Sequence, residues 1–108
     1  MPNFQPAPQT LEKFKTALLD NIDMPEGDTR IQDFVFGDGL SLDDLGTDSI
    51  GKFETINVLE ETWDISMDDE EVNEAKNLDD ILWLIAFKIK ETDETPLFLQ
   101  KADIIPKR

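Results

Sequence analysis

Apolar residues at Leu11, Phe14, Ala17, Leu18 and Ile22 fall three and four positions apart, with one adjacent pair, and so mark one face of a helix. The pattern predicts a first helix over 11–22, with Thr10 as its N-cap and Pro25 and Gly27 ending it. A second run, Ile50, Phe53, Ile56, Val58, Leu59 and Trp63, predicts a helix that starts at Ser49 behind the N-cap Asp48. Gly51, in its first turn, costs at most ~1 kcal/mol against alanine. After the short turn Asp64-Ile65-Ser66-Met67, residues 68–74 can form a brief third helix whose acids suit the positive end of its dipole. Asn77 caps a fourth, with Asp80 in its first turn. Its Leu78, Ile81, Leu82, Leu84, Ile85, Ala86 and Ile89 are apolar on more than one side, which predicts deep burial. Lys88 and Lys90 suit its C-terminal end.

The connection over 23–47 is too long for a plain turn. Ile31, Phe34, Val35 and Phe36 form an apolar island within it, readable as a short helix or as a turn packed on the core. Gly37-Asp38-Gly39 breaks the island, and Leu40, Leu42 and Leu45 then alternate with polar residues. Alternation suits a strand, but no second strand is in sight, so a loop tucking its leucines inward is preferred. Pro2, Pro6 and Pro8 make 1–9 a disordered lead-in. Beyond 91 runs a tail over 92–108, in which Pro96-Leu97-Phe98-Leu99 and Ile104-Ile105 are too apolar for a solvated tail and suggest folding back or meeting a partner. The sum is one all-α domain over 10–91, a small four-helix bundle with a long loop between helices I and II and a C-terminal extension.

Charge adds a direction. The 108 residues carry a net charge of −15. Residues 38–80 hold 15 acids against 2 bases, whereas 1–37 come to −3 and 81–108 to +1. Such a field repels nucleic acid and anionic membranes and steers basic protein patches toward it, although solubility alone also accounts for acidic excess. No apolar run approaches the ~20 residues of a membrane span. The opening Met1-Pro2-Asn3-Phe4-Gln5 lacks the basic and apolar regions of a secretory signal. A cytoplasmic monomer is expected.

Absences narrow the chemistry. There is no cysteine, histidine or tyrosine. Disulfides, thiolate metal sites and the commonest general base are therefore excluded. A serine nucleophile needs a base in reach. Near Ser49 there is only Lys52 or a carboxylate, neither in a recognisable dyad, so no enzyme is expected. Calcium loops also fail: counting from Asp38 puts Leu40 at a ligand position, and counting from Asp64 puts Asp69 where glycine is required.

What remains is the seam Leu45-Gly46-Thr47-Asp48-Ser49-Ile50. Together with the acidic amphipathic run from Phe53 to Trp63, it resembles the acyl carrier protein family. The resemblance continues through Asp64–Glu71, similar to that family's turn into helix III, and Asn77–Ile85, similar to its helix IV. It covers roughly 40–86, with helix I matching in pattern only. It implies that Ser49, beside Asp48, receives 4′-phosphopantetheine from coenzyme A through a separate phosphopantetheinyl transferase. It also implies that acyl or aminoacyl groups ride on that arm as thioesters. Ile50, Phe53, Glu54, Asn57, Glu60 and Glu61 would then meet loading enzymes and synthases through basic patches. Ile56, Leu59, Trp63, Leu82 and Ile85 would line the core. Departures from the family pattern at Gly51, Lys52 and Asn57, with the long loop and the extension, point to a specialised member serving polyketide, specialised lipid or amino-acid chemistry. The rival from another class is an unmodified acidic adaptor that docks basic proteins.

Overall fold

A computed structural model describes residues 5–96. In chain order it holds α1 (Pro8–Asn21), α2 (Arg30–Asp33), a 3-10 turn (Asp43–Leu45), α3 (Ser49–Trp63), α4 (Asp69–Glu74) and α5 (Leu78–Lys88). No strand occurs among the described residues, so Leu40–Leu45 is a loop with one helical turn. The four expected helices are present, and the apolar island adds α2 as a fifth, of one turn.

Helix α1 starts at Pro8, two residues before the expected cap. Proline is preorganised for the first helical position and has no N–H to satisfy. Thr10 is therefore not an N-cap. It is buried inside the first turn, and its hydroxyl donates to the Glu91 carboxylate at 3.1 Å. The same carboxylate accepts the Ala7 N–H at 2.9 Å. Glu91, distant in sequence, thus places a negative charge at the positive end of α1. We expect Glu91→Ala to cost about 1 kcal/mol, a fall of about 5 °C in Tm, measured by thermal denaturation. Pro6 is buried, Ala7 is tied to Glu91, and residues 8–9 are helical. Residues 1–4, and the apolar stretches of the tail at 97–99 and 104–105, lie outside the described residues. Pro96, the last described residue, is buried.

One core unites the elements. Phe14 and Leu18 from α1, Ile56 and Leu59 from α3, and Leu78, Leu82, Leu84 and Ile85 from α5 are buried in a single cluster. α1 packs against α3. The long loop joins the core through Ile31, Phe34, Leu42 and Leu45, all buried. Phe34 sets its ring 6.4 Å from that of Phe14, tilted 49°. Val35 stays exposed, so the island is buried on one side only.

Polar contacts then fasten the middle of the loop to α5 and tie its two arms together. The Gly37 and Gly39 N–H groups donate to the Asp79 carboxylate at 2.8 and 2.9 Å, and Leu78 N–H donates to the Leu40 carbonyl at 2.8 Å. The Arg30 guanidinium donates to the Asp44 carbonyl at 2.7 Å and pairs with Asp28 at 2.8 Å. Its hydrogen bonds to the Asp28 carboxylate hold that carboxyl below the usual range.

α4 is short and depends on its neighbours. Its buried Glu71 accepts the Asp68 N–H at 2.9 Å and pairs with Lys88 of α5 at 3.0 Å. Lys88 thus serves α4 as well as its own helix end, and Lys90 falls past that end at φ 63°. Asn77 caps α5 as expected, accepting the Asp80 N–H at 2.9 Å. The Asp80 carboxylate does not close a box with Asn77. It accepts the Lys76 N–H at 2.9 Å.

Candidate functional site

The seam between loop and α3 is built from backbone outward. Leu42 and Leu45 anchor the 3-10 turn in the core. Gly46 follows at φ 79°, a left-handed conformation that a side chain would strain, and its N–H closes on the Asp43 carbonyl at 3.0 Å. Thr47 N–H donates to the Leu42 carbonyl at 3.2 Å. The chain then extends through Asp48, whose carboxylate accepts the Gly51 N–H at 2.8 Å and caps α3. Each step is local, and together they leave the next residue at the first position of a 15-residue helix. That residue is Ser49. It is exposed, and its hydroxyl has no hydrogen-bond partner among the described residues.

Gly51 has a steric reason. A Cβ there would lie 2.9 Å from Thr47 Cγ2 and 3.2 Å from Asp48 Oδ1. The Thr47 methyl occupies the space an alanine would need, while its hydroxyl is buried without a partner among the described residues. Gly51→Ala alone should therefore gain none of the ~1 kcal/mol that helix propensity offers. Combined with Thr47→Ser, which removes the methyl, the gain should appear. A double-mutant cycle on thermal stability should read a coupling of at least ~0.5 kcal/mol.

Below the seam, α1 and α3 are locked by polar atoms. Asn21 Nδ2 donates to Thr55 Oγ1 at 2.7 Å, and Thr55 Oγ1 donates to the Gly51 carbonyl at 2.8 Å. Thr55 is buried, and sequence reasoning missed it. Its signal was its place four residues before Leu59 on the apolar face. An open cleft of about 220 Å³ is lined by Asn21, Thr47, Asp48, Gly51 and Thr55 among others.

The residues expected to meet partners divide in two. Ile50 and Phe53 are 69% and 55% exposed, unusual for large apolar side chains, and stand within a turn of Ser49. Glu54, Asn57 and Glu61 continue the exposed side of α3. Glu60 does not join them: half-buried, its carboxylate accepts the Met67 N–H at 2.7 Å and holds the turn into α4. Ile56, Leu59, Leu82 and Ile85 line the core as expected. Trp63 is only half-buried, with Lys13 Nζ 5.4 Å from the ring centroid.

Chemically, the site offers an accessible hydroxyl at a helix N-terminus, apolar side chains beside it and carboxylates around them. Among the described residues no group of His, Cys, Asp or Glu is arranged to hold a metal ion. No helix there is long and apolar enough to cross a membrane.

No protein-family model and no solved structure matches the chain. Curated proteins do. The chain is similar to the acyl carrier proteins of Buchnera aphidicola subsp. Acyrthosiphon pisum strains Tuc7, 5A and APS. It is 35% identical to each over 67 residues, spanning 62% of this chain and 76% of the relative. With that identity over three quarters of the relatives' length, on an all-helical frame that exposes the serine of the seam, the chain belongs to the acyl carrier protein family.

Proposed function

We propose that this protein is a carrier: Ser49 bears 4′-phosphopantetheine, and acyl or aminoacyl groups travel on it as thioesters. The observation that carries the reading is the exposed Ser49 hydroxyl, without a hydrogen-bond partner among the described residues, at the first position of α3. Once attached, the arm would supply the thiol, and the chain, which has no cysteine, supplies no competing one. The residues fit that group. Free N–H groups at a helix start favour an anionic phosphodiester, and the Asp48 cap and Gly46 turn hold the serine outside the core. Ile50 and Phe53, framed by Glu54 and Glu61, suit a basic partner with an apolar centre, and association should be fast and salt-sensitive. The unit is taken as a carrier domain over 10–91, its first helix reaching back to Pro8, with 92–108 as an extension.

The finer reading is a specialised member in the cytoplasm. Lys52 puts a positive charge beside the serine, and Asn57 gives the exposed side of α3 a polar centre. Both support a dedicated partner set, in polyketide, specialised lipid or amino-acid chemistry, over the housekeeping fatty-acid enzymes.

Incubation with coenzyme A and a broad-specificity phosphopantetheinyl transferase should raise the intact mass by one phosphopantetheine. No gain with several transferases would favour the unmodified acidic adaptor. The carboxylates allow a second measurement. Glu54→Lys should slow modification in low salt with helical circular dichroism and Tm unchanged. Glu60→Lys should instead destabilise by about 1–2 kcal/mol, because the Met67 amide loses its charged acceptor.

A further inference from the structure

The two bases within the acidic stretch 38–80 are Lys52 and Lys76. They are 24 residues apart, on α3 and on the turn between α4 and α5, yet they line the same pocket, together with Ser41, Asp43, Asn77 and Ile81. Among the described residues neither ammonium has an ion-pair partner, although carboxylates outnumber them heavily in this part of the chain. Asp43 is the single carboxylate in the lining against two lysines, a formal balance of +1 within a chain of −15. Two lysines lining one pocket favour an anion over a further cation there. The free space is about 10 Å³, room for one water-sized group and too little for an aliphatic chain. Lys52 lies three residues after Ser49, hence on the same side of α3 and within one turn of it.

We propose that this pocket seats one oxygen of an anionic group borne by an arm on Ser49, either the phosphodiester at its root or a carboxylate on the acyl group it carries. The proposal rests on the reading of Ser49 as the attachment residue. It gives Lys52, which departs from the family pattern, a ligand carried on its own chain. It also marks acyl groups with a free acid as a cargo class the carrier can hold against its own surface.

The test can be made independent of any transferase. Ser49→Cys creates the single thiol of the chain. Thiol-reactive tethers in matched short and long pairs, ending in carboxylate or in carboxamide, are attached, and the acylation rate of each lysine is read by peptide mass. With a carboxylate tether Lys52 and Lys76 should react about threefold more slowly than with its amide twin. The difference should fade in high salt, and Lys13 and Lys15 should show none. Equal rates at Lys52 and Lys76 for every pair would overturn the proposal whatever becomes of the attachment reading.

The natural arm then separates the two sources. Protection in the modified chain without cargo assigns the phosphodiester. Protection only with a succinyl group, and not with butyryl, assigns the cargo carboxylate. Protection with neither overturns the natural assignment. A wild-type chain that no transferase modifies overturns the attachment reading and the natural occupant with it, and the tether result stands separately.

Discussion

Replacing Ser49 with alanine will abolish phosphopantetheine attachment, with no mass gain at any time of incubation, and will leave the fold intact. The expected loss is complete because the hydroxyl oxygen is the atom to which the arm would be bonded. The expected structural cost is within about 0.5 kcal/mol, since the side chain is exposed and makes no hydrogen bond among the described residues. The other two serines are controls of different kinds. Ser41 Oγ accepts the Asp44 N–H at 3.0 Å and so serves the 3-10 turn. Ser66 is exposed, but it lies in the turn between α3 and α4, outside any helix start. Ser66→Ala should be modified at the wild-type rate. A mass gain that survives Ser49→Ala would move the arm elsewhere and sink the assignment.

Phe14→Ala will destabilise the domain by about 3–5 kcal/mol, the range for emptying a buried aromatic site. A domain this small has a total stability toward the low end of about 5–15 kcal/mol. The variant should therefore lose on the order of 15 °C in Tm, or fail to fold at 37 °C. Phe14 is fully buried, and its ring meets that of Phe34, the residue that anchors the long loop on α1. Loop and helix should loosen together, so hydrogen exchange at Ile31–Phe34 should rise along with that in α1. Val35→Ala, on the exposed side of the same island, should change Tm by no more than a degree or two.

The contrast between Phe34 and Val35 shows what periodicity could and could not deliver. Both read as apolar, and only packing chose between them. The same holds for the acids of α3. Glu54 and Glu60 look alike along the chain, but Glu60 is half-buried and bonded to Met67. Gly51 read as a departure with a cost in helix propensity, whereas the Thr47 methyl over the first turn gives it a reason. The start of α1 differs from the expected one because proline at the first helical position outranks a threonine cap, and because the N-terminal acceptor, Glu91, lies 81 residues from Thr10.

The chain by itself determined the helices, their caps at Asp48 and Asn77, the inward leucines of the loop and the serine on the seam. These follow from i to i+4 relations and from side chains bonding their own neighbours, which are legible locally. Tertiary structure alone decided which exposed residues stay exposed, that Glu91 closes α1, that Glu71 and Lys88 pin α4 to α5, and that Lys52 meets Lys76 at one pocket. Those pairings join positions far apart in sequence, and their energies come from burial and charge proximity, which no local window contains.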